Sequence, residues 1–269
     1  RRSRGLGDVY KRQIIGAGAT GVELAGVLAE ITQSILSREF KNIDTTKTKI
    51  VLIEGGNRIL SSFHNKISGI AENFLKNMGV EVIKNEIVKN IQKDKVFLEN
   101  SVIESESIFW TAGIQASPLT QSIDCDKDNL GRIIVKEDCS VPGYENIFAI
   151  GDLTNFKPKN NLSKKFETLP GVAQVALQMG KHVSKQIQND LNNVERKTFN
   201  YKDLGEMATI GKSKAVVDIL NLRFGGVIAW LIWLFVHLIA ITNFKNKLMI
   251  FTQWFWGYLT SQRHSRIIR

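Results

Sequence analysis

Cysteine is scarce. The 269 residues hold two, Cys125 and Cys139, which form no CxxC pair and match no metal-ligand spacing. A cysteine-built metal site is therefore not expected, no metal is assigned, and two free thiols in a reducing compartment is the plain reading. Acid is missing from the tail, where residues 225–269 carry Lys245, Lys247, Arg263, Arg266 and Arg269 without one Asp or Glu. No secretory signal is visible at the start. The net charge is +10, but most of the excess sits at the two ends, because residues 1–13 add five bases and one acid. The body between has no basic face, so no nucleic-acid partner is expected. A hydrophobic content of 43% allows one large domain or two smaller ones.

What is present begins with Ile14-Ile15-Gly16-Ala17-Gly18-Ala19-Thr20-Gly21-Val22-Glu23. It reads as a strand end, a tight turn and a helix start. Gly16 would permit the turn, Gly18 would let backbone approach a diphosphate, and Gly21 would let helix and strand pack closely. The free N–H groups of the helix start favour the bound anion. A lone GxGxxG is weak, since glycine turns between strand and helix are common. Here Lys49–Ile53 reads as an apolar strand ending at Glu54, whose carboxylate can accept from ribose hydroxyls and repels a 2′-phosphate. NADH is therefore favoured over NADPH.

The pattern predicts a helix over 21–40 with Leu24, Leu28, Ile31 and Ile35 on one face. A helix over 65–78 and a strand at 80–83 follow. Short alternating runs from Ile87 to Trp110 suggest an antiparallel meander inserted into a doubly wound sheet. Trp110-Thr111-Ala112-Gly113 ends a strand in small residues, which places Gly113 beside the nicotinamide half. Strands at 131–135 and 146–150 lead to Gly151-Asp152, a carboxylate at a sheet mouth suited to a polyol. Residues 157–165 read as a solvated lysine-rich loop. Leu169 to Gly180 reads as a helix with Pro170 near its start and Gln174 and Gln178 on one face. Residues 201–217 read as strand, glycine turn and strand. The opening RRSRGLGDVYKRQ has no apolar period and resembles a translated adapter, so residues 1–13 are set apart as a non-native leader.

Gly225 to Thr242 is nearly all apolar, broken by His237, which reads as a packing residue. A second apolar run covers 248–259. Four of the five tryptophans (Trp230, Trp233, Trp254, Trp256) lie here, among basic residues and no acids. Three arrangements are open: a buried helix pair, a spanning helix, or two interfacial helices on one leaflet. The last is favoured, because the second run is too short to span and the aromatic, basic composition suits an anionic lipid surface.

In this order GAGATGVELAG, VLIE, FWTAG, IFAIGD, LPGVAQVALQMG, ATIG and the closing VIAWLIWLFVHLI…FKNKL…QWFWGYL resemble a bacterial type II NADH dehydrogenase. The resemblance implies a two-dinucleotide-binding flavoprotein of the α/β class. It divides the chain into a Rossmann-type NAD domain with an inserted antiparallel meander (14–115), the C-terminal part of an FAD domain (116–224) and an amphipathic helical membrane anchor (225–269). It assigns Gly16, Gly18, Gly21 and Glu54 to NADH. Glu23 becomes the acid near nicotinamide and quinone. Gly151 and Asp152 go to the flavin ribityl chain, and Ala173, Gln174 and Gln178 to the quinone-site motif. Implied are hydride transfer from NADH to FAD, electrons to a membrane quinone without proton pumping, and peripheral attachment at the cytoplasmic face of the bacterial inner membrane. A homodimer is left open. The family opens with an earlier glycine-rich turn for the FAD adenosine. This chain has only the second, so a cut N-terminus is expected. Rival readings are a disulfide reductase or a sulfide:quinone oxidoreductase, whose redox cysteines Cys125 and Cys139 do not supply. A non-catalytic NADH-binding membrane module is a rival of another class.

Overall fold

A parallel strand covered on both faces must be apolar along its length, and Ile50 to Ile53 meets that requirement with all four residues buried. The computed structural model describes residues 11–35, 48–105, 107–159, 166–220 and 222–260. These fall into two units, one joining the residues up to Ala112 with those from Gly205 on, the other Gly113–Leu204.

In the first unit β1 (Lys11–Ile15), β2 (Lys49–Ile53) and β3 (Val80–Ile83) pair in parallel. The expected meander follows as β4 (Asn90–Gln92), β5 (Lys95–Phe97) and β6 (Val102–Glu104), an antiparallel sheet of its own. The chain then returns as β7 (Ser107–Trp110) on the far side of β1, giving the order β3-β2-β1-β7. That reversal makes a topological switch point between β1 and β7, the place where open α/β sheets bind ligands at their carboxyl edge.

β1 starts at Lys11, earlier than the domain start read from the sequence, because a ladder is made by backbone and tolerates the side chains of Lys11, Arg12 and Gln13. Residues 1–10 lie outside the described residues. Gln13 is poorly suited to its place. It is fully buried, in register with Val51 and Ile108, and neither amide atom has a hydrogen-bond partner. A buried unsatisfied polar group costs about 1–3 kcal/mol. Gln13→Val is therefore expected to stabilise the fold by about 2 kcal/mol, read as a raised midpoint in denaturant unfolding.

α1 (Ala19–Glu30) continues as a wider turn over Ile31–Ile35, and 36–40 lie outside the described residues. Its fully buried side is Gly21, Val22, Ala25, Gly26 and Ala29, not the expected leucine face. Leu24 and Leu28 are only partly buried. The reason is close approach: α1 lies against a second, antiparallel sheet of β10 (Glu206–Gly211), β11 (Lys214–Ile219) and β12 (Leu222–Gly226), and only small residues fit there. Ala208, Ile210 and Val216 of this sheet share one core with Ile14, Leu52 and Leu75. The unit boundary consequently falls after Leu204, not after residue 224. The hairpin turns at Lys212-Ser213 rather than at a glycine. α2 (Asn65–Asn77) begins with His64 capping Lys66 N–H at 3.2 Å and stops at Gly79, whose φ of +76° ends the helix.

The second unit has a two-residue parallel pair, β8 (Ile133–Ile134) with β9 (Thr154–Asn155). The strand expected over 146–150 is held by a single bridge, Ser140 to Phe148, because no full-length strand lies beside it among the described residues. α3 (Ala173–Leu191) is longer than expected, and Pro170 precedes it. Its buried residues Val175, Met179 and Val183 join Phe156, Leu169, Phe199 and Tyr201 in a core.

The tail forms α4 (Val227–Ala240) and α5 (Phe244–Thr260). α4 lays Ala229 and Trp230 on Ala215 and Val217 of β11. Its other side is bare, with Ile228 67%, Leu231 53%, Phe235 64% and Ile239 55% exposed. α5 adds Phe244, Leu248, Phe251, Phe255 and Trp256, all at least half exposed. A buried helix pair is thereby overturned. At ~1.5 Å per residue α4 is roughly 21 Å long, short of the ~30 Å of a bilayer core. No helix among the described residues is long and apolar enough to cross a membrane.

Candidate active site

At the end of β1 the backbone of Gly16 turns with φ +98°. A Cβ there would lie 2.7 Å from Ala112 Cα, and one on Gly21 would lie 1.8 Å from the Gly16 carbonyl. Thr111 Oγ1 donates to the carbonyls of Ile15 (2.9 Å) and Gly16 (2.8 Å), tying the turn after β1 to the end of β7. Gly18 is different. A Cβ on it would meet nothing within 4 Å, and as N-cap of α1 it offers no side-chain cap, with no acid in the first turn. The helix start is thus uncapped and the space beside Gly18 is open, as an anion site requires. Gly18→Ala is expected to leave the melting temperature within a few degrees while weakening NADH binding about tenfold, measured by titration of the full-length protein. Glu54 reaches back across this turn, its Oε2 accepting from Ala17 N–H at 2.7 Å and its Oε1 from Gly56 N–H at 2.9 Å.

Glu23, on the second turn of α1, is partly buried, and its Oε1 accepts from Thr209 N–H of β10 at 3.1 Å. Burial pushes its carboxyl above the usual carboxylate range, opposed by the Thr209 bond and by the charge of His237. A carboxyl raised this way holds its proton closer to neutral pH, as proton delivery needs.

In the second unit Gly113 has φ +75° and open space where a Cβ would point. Gly151 has φ +66°, and a Cβ there would come within 3.0 Å of Ala176 Cβ. The Asp152 side chain is exposed, and Gly171 leaves the room beside it, since a Cβ there would stand 3.0 Å from Asp152 Oδ1. α3 begins at Ala173 with Val172 as N-cap, no side-chain cap and no acid in its first turn. An open carboxylate for hydroxyls and an uncapped helix start for an electron-rich carbonyl fit the ribityl chain and ring edge of a flavin. Gln178 is occupied: its Nε2 donates to the Lys202 carbonyl at 3.0 Å and its Oε1 accepts from Lys202 N–H at 2.9 Å. It fastens the segment carrying Tyr201 to α3. Gln174 lies one turn earlier and is partly buried.

Residues 6–180 match the family described as pyridine nucleotide-disulphide oxidoreductase. The chain belongs to that family. Residues 204–263 match the NDH2 C-terminal domain. The type II NADH:quinone oxidoreductase Ndh of Mycobacterium tuberculosis is 35% identical over 262 residues, covering 93% of this chain and 54% of that protein. A probable NADH dehydrogenase of Dictyostelium discoideum is 32% identical over 244 residues, covering 90% and 52%. The structure of NDH2 from Plasmodium falciparum in complex with NADH superposes with a TM-score of 0.85 at 19% identity, covering 97% of this chain and 68% of that one. This chain spans about half the length of the curated relatives it matches.

For a pyridine nucleotide-disulphide oxidoreductase, this chain offers no reactive thiol pair: Cys125 and Cys139 are free, and burial pushes the Cys139 thiol up to about 12. The first unit gathers Gly16, Gly18, Gly21, Glu54 and Glu23 around the start of α1. Gly113, Gly151, Asp152, Ala173, Gln174 and Gln178 belong to the second. Sequence reasoning missed Thr111, Gly26, Gly171 and the influence of His237 on Glu23. Thr111 was legible, since a hydroxyl beside the small pair Ala112-Gly113 at a strand end is placed to bind backbone. The others depend on contacts distant in sequence.

Proposed function

We propose that the full-length protein oxidises NADH through a bound FAD and passes the electrons to a membrane quinone. The observation that carries this reading is the open, uncapped start of α1 above Gly18, with Glu54 beside it, in one unit with a bare apolar helix pair of mostly aromatic and aliphatic residues. The first suits a soluble dinucleotide; the second suits a donor–acceptor reaction that meets lipid.

The α1 N–H groups hold the diphosphate. Glu54 exchanges its backbone partners for the ribose hydroxyls and disfavours the 2′-phosphate of NADPH. FAD supplies the two-electron chemistry when bound, and Gly151, Asp152 and the start of α3 are the residues that would hold it. Glu23 keeps a proton for the acceptor. Ala173, Gln174 and Gln178 belong to the motif that the resemblance assigns to quinone, with Gln178 acting through the segment it fastens. The apolar sides of α4 and α5, rich in Trp and Phe and free of acid, support peripheral attachment to anionic lipid. The leaflet facing the NADH pool, the cytoplasmic one in a bacterium, follows from this reading.

Glu23→Gln in the full-length protein is expected to slow quinone reduction by about 100-fold, the scale of a lost general acid, while NADH binding holds. Equal steady-state rates would remove Glu23 from the reaction. The function itself is tested by NADH oxidation in liposomes: it should depend on added quinone and ignore added disulfide. Turnover with disulfide and none with quinone would favour the reductase reading.

A further inference from the structure

A two-residue loop between antiparallel strands needs positive φ at its first position, which Asn, Asp and Gly adopt at little cost. The loop joining β11 to β12 is built otherwise. Its ladder closes on the pair Ile219 and Leu222, and its first residue is Leu220, with φ +47°. A bulky apolar side chain is strained there. Leu220 is also 85% exposed, the largest value for any large hydrophobic among the described residues, and Leu222 is 64% exposed. With that exposure, packing among the described residues offsets neither the strain nor the contact with water.

The register shows which way the tip faces. Directly paired residues share a face of the sheet. Ala215, Val217 and Ile219 of β11 and Phe224 of β12 belong to the cluster that Ala229 and Trp230 of α4 cover. Leu222, paired with Ile219, lies on that same face. Asp218 and Arg223 form the alternate pair, joined at 3.1 Å, and Asp218 accepts from His64 N–H at the start of α2 at 3.0 Å. One face of the hairpin thus turns its charges to α2, while the other stays apolar to its end.

α4 starts at the opposite end of the hairpin, since Gly226 pairs with Ala215, and runs back towards the tip. From Trp230 to Leu234 the helix advances ~6 Å. From Val217 to Ile219 the strand advances about 6.6 Å, and Leu234 and Ile219 pack on the same cluster. The bare Phe235, Val236 and Ile239 follow on α4. The two leucines and these residues therefore lie at one end of the hairpin. No acid occurs after Asp218, so nothing at this end repels an anionic headgroup.

We propose that the β11–β12 tip is a third lipid-contacting element, in which Leu220 and Leu222 enter the headgroup–acyl boundary beside the later half of α4. This rests on the proposed peripheral attachment to anionic lipid. Burial in lipid offsets both the strain at Leu220 and the exposure of the pair. β10 belongs to the same sheet, so the sheet that fixes Glu23 through Thr209 is held to lipid directly, not through the helices alone.

The test uses the full-length protein and mixed phosphatidylcholine and phosphatidylglycerol vesicles. Leu220→Asn with Leu222→Thr removes the apolar tip, changes no charge, and places at 220 a residue at ease with positive φ. The melting temperature should equal or exceed that of wild type, while vesicle partitioning weakens about 30-fold. Leu220→Asn with Leu222→Phe should recover much of the loss, and NADH reduction of the flavin in detergent should match wild type in both. If Phe235→Glu with Phe255→Glu releases the protein but the Asn and Thr pair binds as wild type does, the role of the tip is overturned alone. A melting temperature several degrees lower would overturn it too, because protein and not lipid would then cover the leucines. A wild-type protein that does not bind vesicles at all would overturn the peripheral attachment instead, and this inference with it.

Discussion

Gly26→Val is expected to destroy the folded first unit. A Cβ at position 26 would lie 1.7 Å from the Ile210 carbonyl oxygen and 2.6 Å from its carbon, closer than any real contact. Backbone cannot step aside as a side chain can, so α1 must lift off β10. Overpacking alone costs about 1–3 kcal/mol. The lift also breaks the Thr209–Glu23 bond, about 1–2 kcal/mol more, and opens the core that Ala25, Ala29, Ala208 and Ile210 share. A total on the order of 4 kcal/mol is a large share of the ~5–15 kcal/mol that holds a domain. The melting temperature of the full-length protein should fall by about 10 °C or more, or no soluble protein should be recovered. A Gly26→Val protein melting within a few degrees of wild type would mean that α1 does not sit on β10 as described.

Phe235→Glu with Phe255→Glu is expected to release the full-length protein from anionic vesicles. These side chains are 64% and 58% exposed, on α4 and α5 respectively, so neither supports the core. Burying each in the lipid boundary is worth about 1.5–3 kcal/mol, and each new carboxylate is repelled by anionic headgroups. A combined loss of at least about 3 kcal/mol corresponds to roughly 100-fold weaker partitioning, measured by vesicle co-sedimentation. NADH reduction of the flavin in detergent should be unchanged. Undiminished vesicle binding would contradict the proposed contact of α4 and α5 with lipid.

Local chemistry was legible in the sequence where neighbours in the chain do the work. Gly16, Gly18 and Gly21 act through the turn they form, and Glu54 follows the strand that carries it. β2, β3, the meander, α2 and the first tail helix stand where their periodicities put them, whereas β1 begins earlier, at Lys11, and α5 begins at Phe244, inside the polar break. The face of α1 was not legible, because what decides it is the carbonyl of Ile210, far along the chain. The same distance hid β12 and the allegiance of β10–β12 to the first unit. Residues 146–150 read as a strand on composition, yet a strand needs a neighbour. Gln178 shows the limit most plainly: its type and spacing suggested a ligand-facing amide, and both ends of that amide grip Lys202.

Absorbance of the bound flavin tests the electron path most directly. In the purified full-length protein, anaerobic NADH should bleach the oxidised-flavin bands at once, and a following addition of quinone should restore them with one quinone consumed per flavin. A protein without flavin, or one whose bleached bands stay bleached when quinone arrives, would contradict the account.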